Sequence, residues 1–300
     1  MHNATREGFL YGLAAYLWWG LVPLYFRWLG EDVPPFDILA YRIAWSGVFL
    51  GLILTFSRRW PEAIRCLSTP KLFWPLTASA VLVAFNWLMY ILAVHLKMIV
   101  QASLGYFMLP LVSVLFGMVI FGERLRPLQY LAIGFAAVGV SLLAWAAGDF
   151  PWLAVSLAAA FAAYGMIRKQ VPVDGLVGIS VETIVLLPIT LGYLAFVCWQ
   201  RGELGDGELH IKLSLSGVVT AVPLLCFGQA ARRLPFSTLG FMQYISPSVQ
   251  FLLAVYLFEE EVIGGWWNYA VVWTALMIFS IDSYFWYRRK ERSEIDTLDR

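Results

Sequence analysis

Charge is what this sequence has least of. Only 14% of its 300 residues are Asp, Glu, Lys or Arg, against about 25% in a typical soluble domain. Hydrophobic residues make up 60% and mean hydropathy is +0.72. A soluble chain of this length needs more polar side chains than this to cover its surface, so lipid is the solvent for much of it. Histidine and cysteine are scarce too. His2, His95 and His210 lack metal-ligand spacing, and Cys66, Cys198 and Cys226 form no CxxC and no Cys/His cluster. Neither a zinc site nor a disulfide framework is indicated, and the thiols read as small apolar fillers. There is no P-loop to couple ATP directly and no Gly-x-Ser-x-Gly elbow. The residues point to no enzyme and no cofactor. A net charge of +1 argues against a nucleic-acid partner. The first apolar run has no Ala-x-Ala cleavage site after it and reads as a retained helix.

What is present is long apolar runs. A spanning helix needs about 20 mostly apolar residues. Cutting at charge clusters and Pro/Gly breaks predicts ten spans, at 8–27, 36–56, 73–94, 99–121, 127–146, 150–167, 176–199, 213–231, 237–258 and 266–287. The longest connections, Ser57–Leu72 and Gln200–Lys212, are too short for a soluble domain, so function must sit in or between the helices. With a cytoplasmic N-terminus, sixteen Lys and Arg fall in inner segments and four, Arg27, Lys97, Arg201 and Lys212, in outer ones. That bias predicts both termini in the cytoplasm, and one missed helix would invert every later loop and destroy it.

The two halves resemble each other. Pro110 is followed thirteen residues later by Glu123, and Pro247 thirteen residues later by Glu260. Upstream stand Ser103-Leu104-Gly105-Tyr106-Phe107 and Thr238-Leu239-Gly240-Phe241-Met242. The opening helices correspond as well, Ala14-Ala15-Tyr16-Leu17-Trp18-Trp19-Gly20 beside Ala159-Ala160-Phe161-Ala162-Ala163-Tyr164-Gly165, and each is followed by a Val-Pro, at Val33-Pro34 and Val171-Pro172. Five helices is an odd number, so two tandem units insert with opposite orientation. The expectation is an all-α polytopic membrane protein of ten transmembrane helices in two inverted five-helix repeats, 8–146 and 150–287, with a charged cytoplasmic tail at 288–300. Inverted repeats are the mark of alternating-access carriers, whose site lies near the midplane at the repeat interface.

The chain also resembles the EamA family of the drug/metabolite transporter superfamily, and within it the RarD-type transporters. The resemblance is carried by Trp18-Trp19-Gly20-Leu21-Val22-Pro23-Leu24-Tyr25-Phe26, Ala40-Tyr41-Arg42-Ile43-Ala44-Trp45-Ser46 and Asn86-Trp87-Leu88-Met89-Tyr90. Gly122-Glu123-Arg124-Leu125-Arg126-Pro127, Arg168-Lys169-Gln170-Val171-Pro172-Val173-Asp174 and Ser237-Thr238-Leu239-Gly240-Phe241-Met242-Gln243-Tyr244 add to it. It covers about 6–287 and implies a permease of the bacterial inner membrane. Two departures stand out: His95-Leu96-Lys97 replaces a more polar turn, and Glu259 stands where the first half has Gly122.

An ionisable side chain at bilayer depth is costly, about 2.5 to 3.5 kcal/mol for Arg at a helix centre, and defaults to a functional candidate. Arg42 lies ~9 Å into its span. It reads as an anchor for a substrate carboxylate or phosphate, or as an arginine snorkelling to the headgroups with Asp37 as a partner. Glu182 occupies the near-equivalent position of the second repeat, ~12 Å away in depth, where a direct bridge to Arg42 is not expected. It is a candidate for a substrate amine or a coupling proton. Asp282 is a second proton candidate, or a partner of a cytoplasmic arginine such as Arg288. Asn86, Gln101, Gln229, Gln243 and Gln250 would line a wet cavity or glue helices together. Gln243-Tyr244, just before Pro247, is favoured because irregular backbone is expected there. Trp18, Trp19, Tyr90, Tyr106 and Tyr164 are candidate cavity walls, Pro110 and Pro247 candidate hinges. Ala154, Ala158 and Ala162 read as a close-packing face. The expected function is a secondary carrier of small organic solutes, metabolites or drugs. The expected partners are a solute, the bilayer and a coupling proton, for a monomer or homodimer. The alternatives are an uncoupled facilitator and a lipid-handling membrane protein.

Overall fold

The computed structural model describes residues 2–30, 33–96, 99–147, 152–201, 207–257 and 265–298. Among these every element is helical: α1 (His2–Leu29), α2 (Pro35–Phe56), α3 (Trp60–Ser68), α4 (Pro70–His95), α5 (Ile99–Phe121), α6 (Pro127–Ala147), α7 (Trp152–Gln170), α8 (Gly175–Arg201), α9 (Gly207–Arg233), α10 (Phe236–Met242), α11 (Ile245–Tyr256) and α12 (Trp266–Leu298). The punctuation is local chemistry. Pro35, Pro70 and Pro127 each open a helix, where a missing N–H costs nothing and φ is already set. Gly30 and Gly122 close α1 and α5 at φ +93° and +63°, the left-handed stop glycine adopts without strain.

Among the described residues seven helices are long and apolar enough to cross a membrane, namely α1, α2, α4, α5, α6, α8 and α9. Three expected spans fall outside that set. Arg168 and Lys169 dilute the last turn of α7. The ninth expected span is split into α10 and α11, of 7 and 12 residues. The side chains of α12 are described only as far as 282 and at 285. Large apolar side chains point outward all the same: Phe56, Val119, Trp145, Ile189 and Trp199 are 74% to 88% exposed, which only an apolar solvent tolerates in such number.

Other boundaries differ for physical reasons. The stretch read as the loop Ser57–Leu72 contains α3, nine residues that are too short to span. It turns Ala63 and Cys66 inward and leaves Trp60 and Ile64 exposed. α9 starts six residues before the expected 213, its polar first turn held by the Glu208–Lys212 pair at 2.8 Å in the i,i+4 arrangement. The tail at 288–300 is a continuation of α12 as far as Leu298, in keeping with its strong helix formers. Pro110 lies within an unbroken α5, whereas α10 ends and α11 begins around Gln243-Tyr244.

Packing joins distant parts of the chain. α1 and α2 lie on α9, α4 and α5 on α7, α2 on α8, α5 on α10, and α6 on α12. Small residues set the closest approaches. A Cβ on Gly217 would sit 2.4 Å from the Trp45 carbonyl carbon, and one on Gly105 3.0 Å from the Ala154 oxygen. Ala154, Ala158 and Ala162 are fully buried, the close-packing face expected of them. Of the thiols, Cys66 is buried as a filler would be, but Cys198 is exposed.

Candidate functional site

The helices surround a cavity of about 670 Å³ including its mouth. Its polar wall is Arg42 from α2, Asn86 from α4, Gln243 from the α10–α11 break, and Ser246 and Gln250 from α11. Aromatic rings, with Val22 and Leu109, supply the rest. Tyr16, Trp19 and Phe26 come from α1, Trp87 and Tyr90 from α4, Tyr106 from α5 and Phe161 from α7. Gln243 lies at the break in the ninth expected span and Ser246 in the first turn of α11.

Arg42 is 7% exposed. Its Nε donates to Thr220 Oγ1 on α9 at 2.9 Å, and its guanidinium carbon lies 4.7 Å from the Trp87 ring centroid and 5.8 Å from that of Phe26. No carboxylate among the described residues forms an ion pair with it. Asp37, the partner considered from sequence, is committed elsewhere: it accepts from Tyr193 at 2.7 Å and pairs with Arg201 at 2.6 Å. Of the other polar walls, Asn86 Nδ2 donates to Leu157 O at 2.8 Å and Gln250 Nε2 to Trp19 O at 3.0 Å. Gln243, 3% exposed, accepts from Ser113 at 3.0 Å through Oε1, and its Nε2 has no hydrogen bond of normal geometry.

A second cavity of about 340 Å³ adjoins the first, with Trp87 lining both. Ser46, Glu182, Thr183 and Thr220 are its polar wall. Glu182 accepts from Ser79 at 2.6 Å and from Tyr164 at 3.5 Å, and faces Arg168 at 3.6 Å. Arg168 was counted from sequence as a loop cation. It lies in the last turn of α7 at 1% exposure, its guanidinium packed where a Cβ on Gly178 would stand 1.9 Å away. Arg42 and Glu182 therefore have separate partners, in line with the depth argument.

The end of the bundle that carries residue 7 is tied shut by polar contacts. Arg233 pairs with Glu7 at 3.5 Å, and Gln229 donates to Asp174 at 2.9 Å. Arg59 joins Asp174 at 2.7 Å and Glu62 at 2.6 Å. Burial raises the Asp174 carboxyl, but hydrogen bonds from Gln229, Arg59 and the Leu176 N–H outweigh that and bring it to about 2. Glu123 accepts from the Phe236 and Ser237 N–H groups at 2.6 and 2.8 Å, with Lys169 3.7 Å away. Asp282 pairs with Arg126 at 2.6 Å; the side chain of Arg288, the partner considered from sequence, lies outside the described residues.

Of the sequence candidates, Trp19, Arg42, Asn86, Tyr90, Tyr106, Gln243 and Gln250 meet around one cavity. Tyr164 does not line it but supports Glu182, and Tyr244 is buried in the core beside it. Trp18, 37% exposed, bonds Val219 O on the outside of α1. The Gln101 side chain lies outside the described residues. Tyr16, Phe26, Trp87, Phe161 and Ser246 were not singled out. Trp87 adjoins Asn86, and Tyr16 and Phe161 stand at matching places in the similar phrases Ala14–Gly20 and Ala159–Gly165, so a signal existed for these three.

The family model for the EamA-like transporter family matches residues 6–145. Protein RarD of Salmonella typhi is 45% identical over 95% of this chain and 98% of its own, and Protein RarD of Escherichia coli K12 41% identical over 96% and 98%. The chain belongs to the EamA-like transporter family. Its relatives there include the transporter YojE of Bacillus subtilis, 37% identical over 96% of this chain and 98% of its own. One crystal structure, 21% identical, superposes with a TM-score of 0.65 over 92% of this chain and 95% of that one, a likeness of fold. This EamA family member is a multi-pass membrane transporter of the RarD type.

Proposed function

We propose that this transporter is a secondary carrier of small organic solutes in the bacterial inner membrane, with ten spans in two inverted units, 8–146 and 150–287. Both termini are cytoplasmic in this reading. The Arg42 cavity is the solute site, and it opens alternately to the two faces. The observation that supports the reading is a buried arginine, without a carboxylate partner among the described residues, on a cavity lined from both 8–146 and 150–287.

The internal pairing supports the inverted repeat. α1 packs on α9, and its counterpart α7 on α4; α5 packs on α7, and its counterpart α11 on α1. Arg42 and Glu182 each stand seven residues into their helix, at Pro35 + 7 and Gly175 + 7. Arg42 bonds Thr220 on α9, and Glu182 bonds Ser79 on α4, the counterpart of α9. The antiparallel α2 and α8 are clasped at both ends, by Asp37–Arg201 and by Arg59–Asp174. In the present state the cytoplasmic end is closed by the Glu123, Asp174 and Glu7 contacts. Glu182, on the second cavity, is the candidate for a coupling proton. Asp282 is assigned to the cytoplasmic clasp, and the Gln243-Tyr244 break, more than Pro110, to the hinge.

Uptake by proteoliposomes across a metabolite panel, with and without a pH gradient, tests the reading. Gradient-driven accumulation of at least one solute, lost in a folded Arg42→Gln protein, is expected. Equilibration alone, indifferent to pH, would make it a facilitator. Unchanged kinetics in Arg42→Gln would remove Arg42 from the site.

A further inference from the structure

We infer that the solute is an organic monoanion, a carboxylate on a planar apolar body, and that zwitterions and amines are excluded. The inference rests on the reading of the Arg42 cavity as the solute site. Three features of its wall carry it.

The first is charge. Arg42 is the one ionic group among the described residues that line the cavity, and none of them is Asp or Glu. A buried guanidinium without a counter-charge is expensive. A single negative charge on the solute cancels it. A phosphate dianion would leave one charge uncompensated in the same low-dielectric space, and an ammonium group would find no carboxylate. Glu182 does not supply one: it is beyond Trp87, on the adjoining cavity, and faces Arg168.

The second is geometry. Thr220 takes the Arg42 Nε, and Trp87 and Phe26 hold the flat of the guanidinium. No hydrogen bond from either Nη occurs among the described residues. This leaves the terminal fork, the edge that matches a carboxylate with two parallel bonds. Gln243 adds an amide with one unsatisfied hydrogen-bonding atom. It serves as a donor or, with the amide turned over, as an acceptor for a ring hydroxyl.

The third is the body of the cavity. Seven of its fourteen lining residues are aromatic. Rings with centroids about 4.5–7 Å apart pack edge-on or offset, and Tyr90–Tyr106 at 5.4 Å and Trp19–Phe161 at 5.4 Å already do so. A planar solute continues such packing where a sugar or a polyol would strand its hydroxyls.

Equilibrium dialysis of purified protein with radiolabelled 4-hydroxybenzoate tests this, with phenylacetate, phenylalanine, phenethylamine and phenyl phosphate as competitors. Saturable binding displaced by phenylacetate, and at least tenfold less well by the other three, is expected. Arg42→Gln lowers affinity by about 10- to 100-fold, the range for a lost charge-assisted hydrogen bond, and Arg42→Lys by less. Size-exclusion profiles check that each variant is folded. Equal competition by phenylalanine or phenethylamine overturns the inference, as does full-strength binding to Arg42→Gln, or no binding of any probe to wild type. Ser246→Trp, which fills the cavity, separates this from failure of the site itself: wild-type binding and uptake in that variant would move the solute site elsewhere.

Discussion

Replacing Glu182 by Gln is expected to destabilise the protein far more than an uncharged, nearly isosteric change suggests. Glu182 and Arg168 have side chains 3% and 1% exposed and stand 3.6 Å apart. Arg168 Nε and Nη1 have no hydrogen bond among the described residues, so the carboxylate is what balances that guanidinium. Removing one partner of a buried pair costs about 3–5 kcal/mol, because it strands the other charge. The glutamine keeps the Ser79 and Tyr164 contacts in part, which puts the cost near about 3 kcal/mol. At about 2 °C per kcal/mol for a chain of this size, the midpoint falls by roughly 6 °C. Arg168→Met together with Glu182→Gln removes both charges and recovers most of the loss, so the two changes are strongly non-additive. Thermal unfolding in detergent, followed by fluorescence, measures both quantities. A midpoint for Glu182→Gln within a degree of wild type, or additive effects in the double variant, would refute the reasoning.

Gly217→Val is expected to abolish folding or drop the midpoint steeply, since even a Cβ there meets the Trp45 backbone at 2.4 Å; expression-level gel filtration reads this directly. Asp174 gives an acid-side dependence. Its folded carboxyl is held at about 2 against the usual 3.8, so its contribution is whole above pH 3.8 and is lost as pH falls toward 2. With the side chain partly exposed, the contribution is about 1 kcal/mol after allowing for solvent screening, and Asp174→Asn flattens the midpoint-versus-pH curve across that window. Glu123→Ala leaves two N–H groups at the start of α10 without their carboxylate. Limited proteolysis at the end of the bundle that carries residue 7 is expected to speed up several-fold.

Much of this architecture is written in sequence because lipid imposes a simple grammar of long apolar runs cut by charge and proline. Arg42 is legible for the same reason, an ionisable group where none is tolerated without use. Other features depend on contacts the chain makes across long separations. Nothing local marks Thr220, 178 residues away, as the partner of Arg42. Arg168 looks like any loop cation, since a count of basic residues does not distinguish a helix's last turn from the loop beyond it. α3 is too short for a hydropathy window. Tyr164 aligns with Trp19 in the matched phrases, yet it bonds Glu182 at 3.5 Å instead of lining the Arg42 cavity, a contact that no local pattern marks.

The central claim is that the Arg42 cavity communicates with both faces of the membrane. Accessibility of one cysteine tests it most directly. Ser246→Cys is made after Cys66, Cys198 and Cys226 are replaced, and is labelled with an impermeant methanethiosulfonate in right-side-out and inside-out vesicles. Alternating access predicts labelling from both faces, faster from the cytoplasmic face when Glu123 is replaced by Ala. Labelling from one face alone, unchanged by Glu123→Ala, would contradict it.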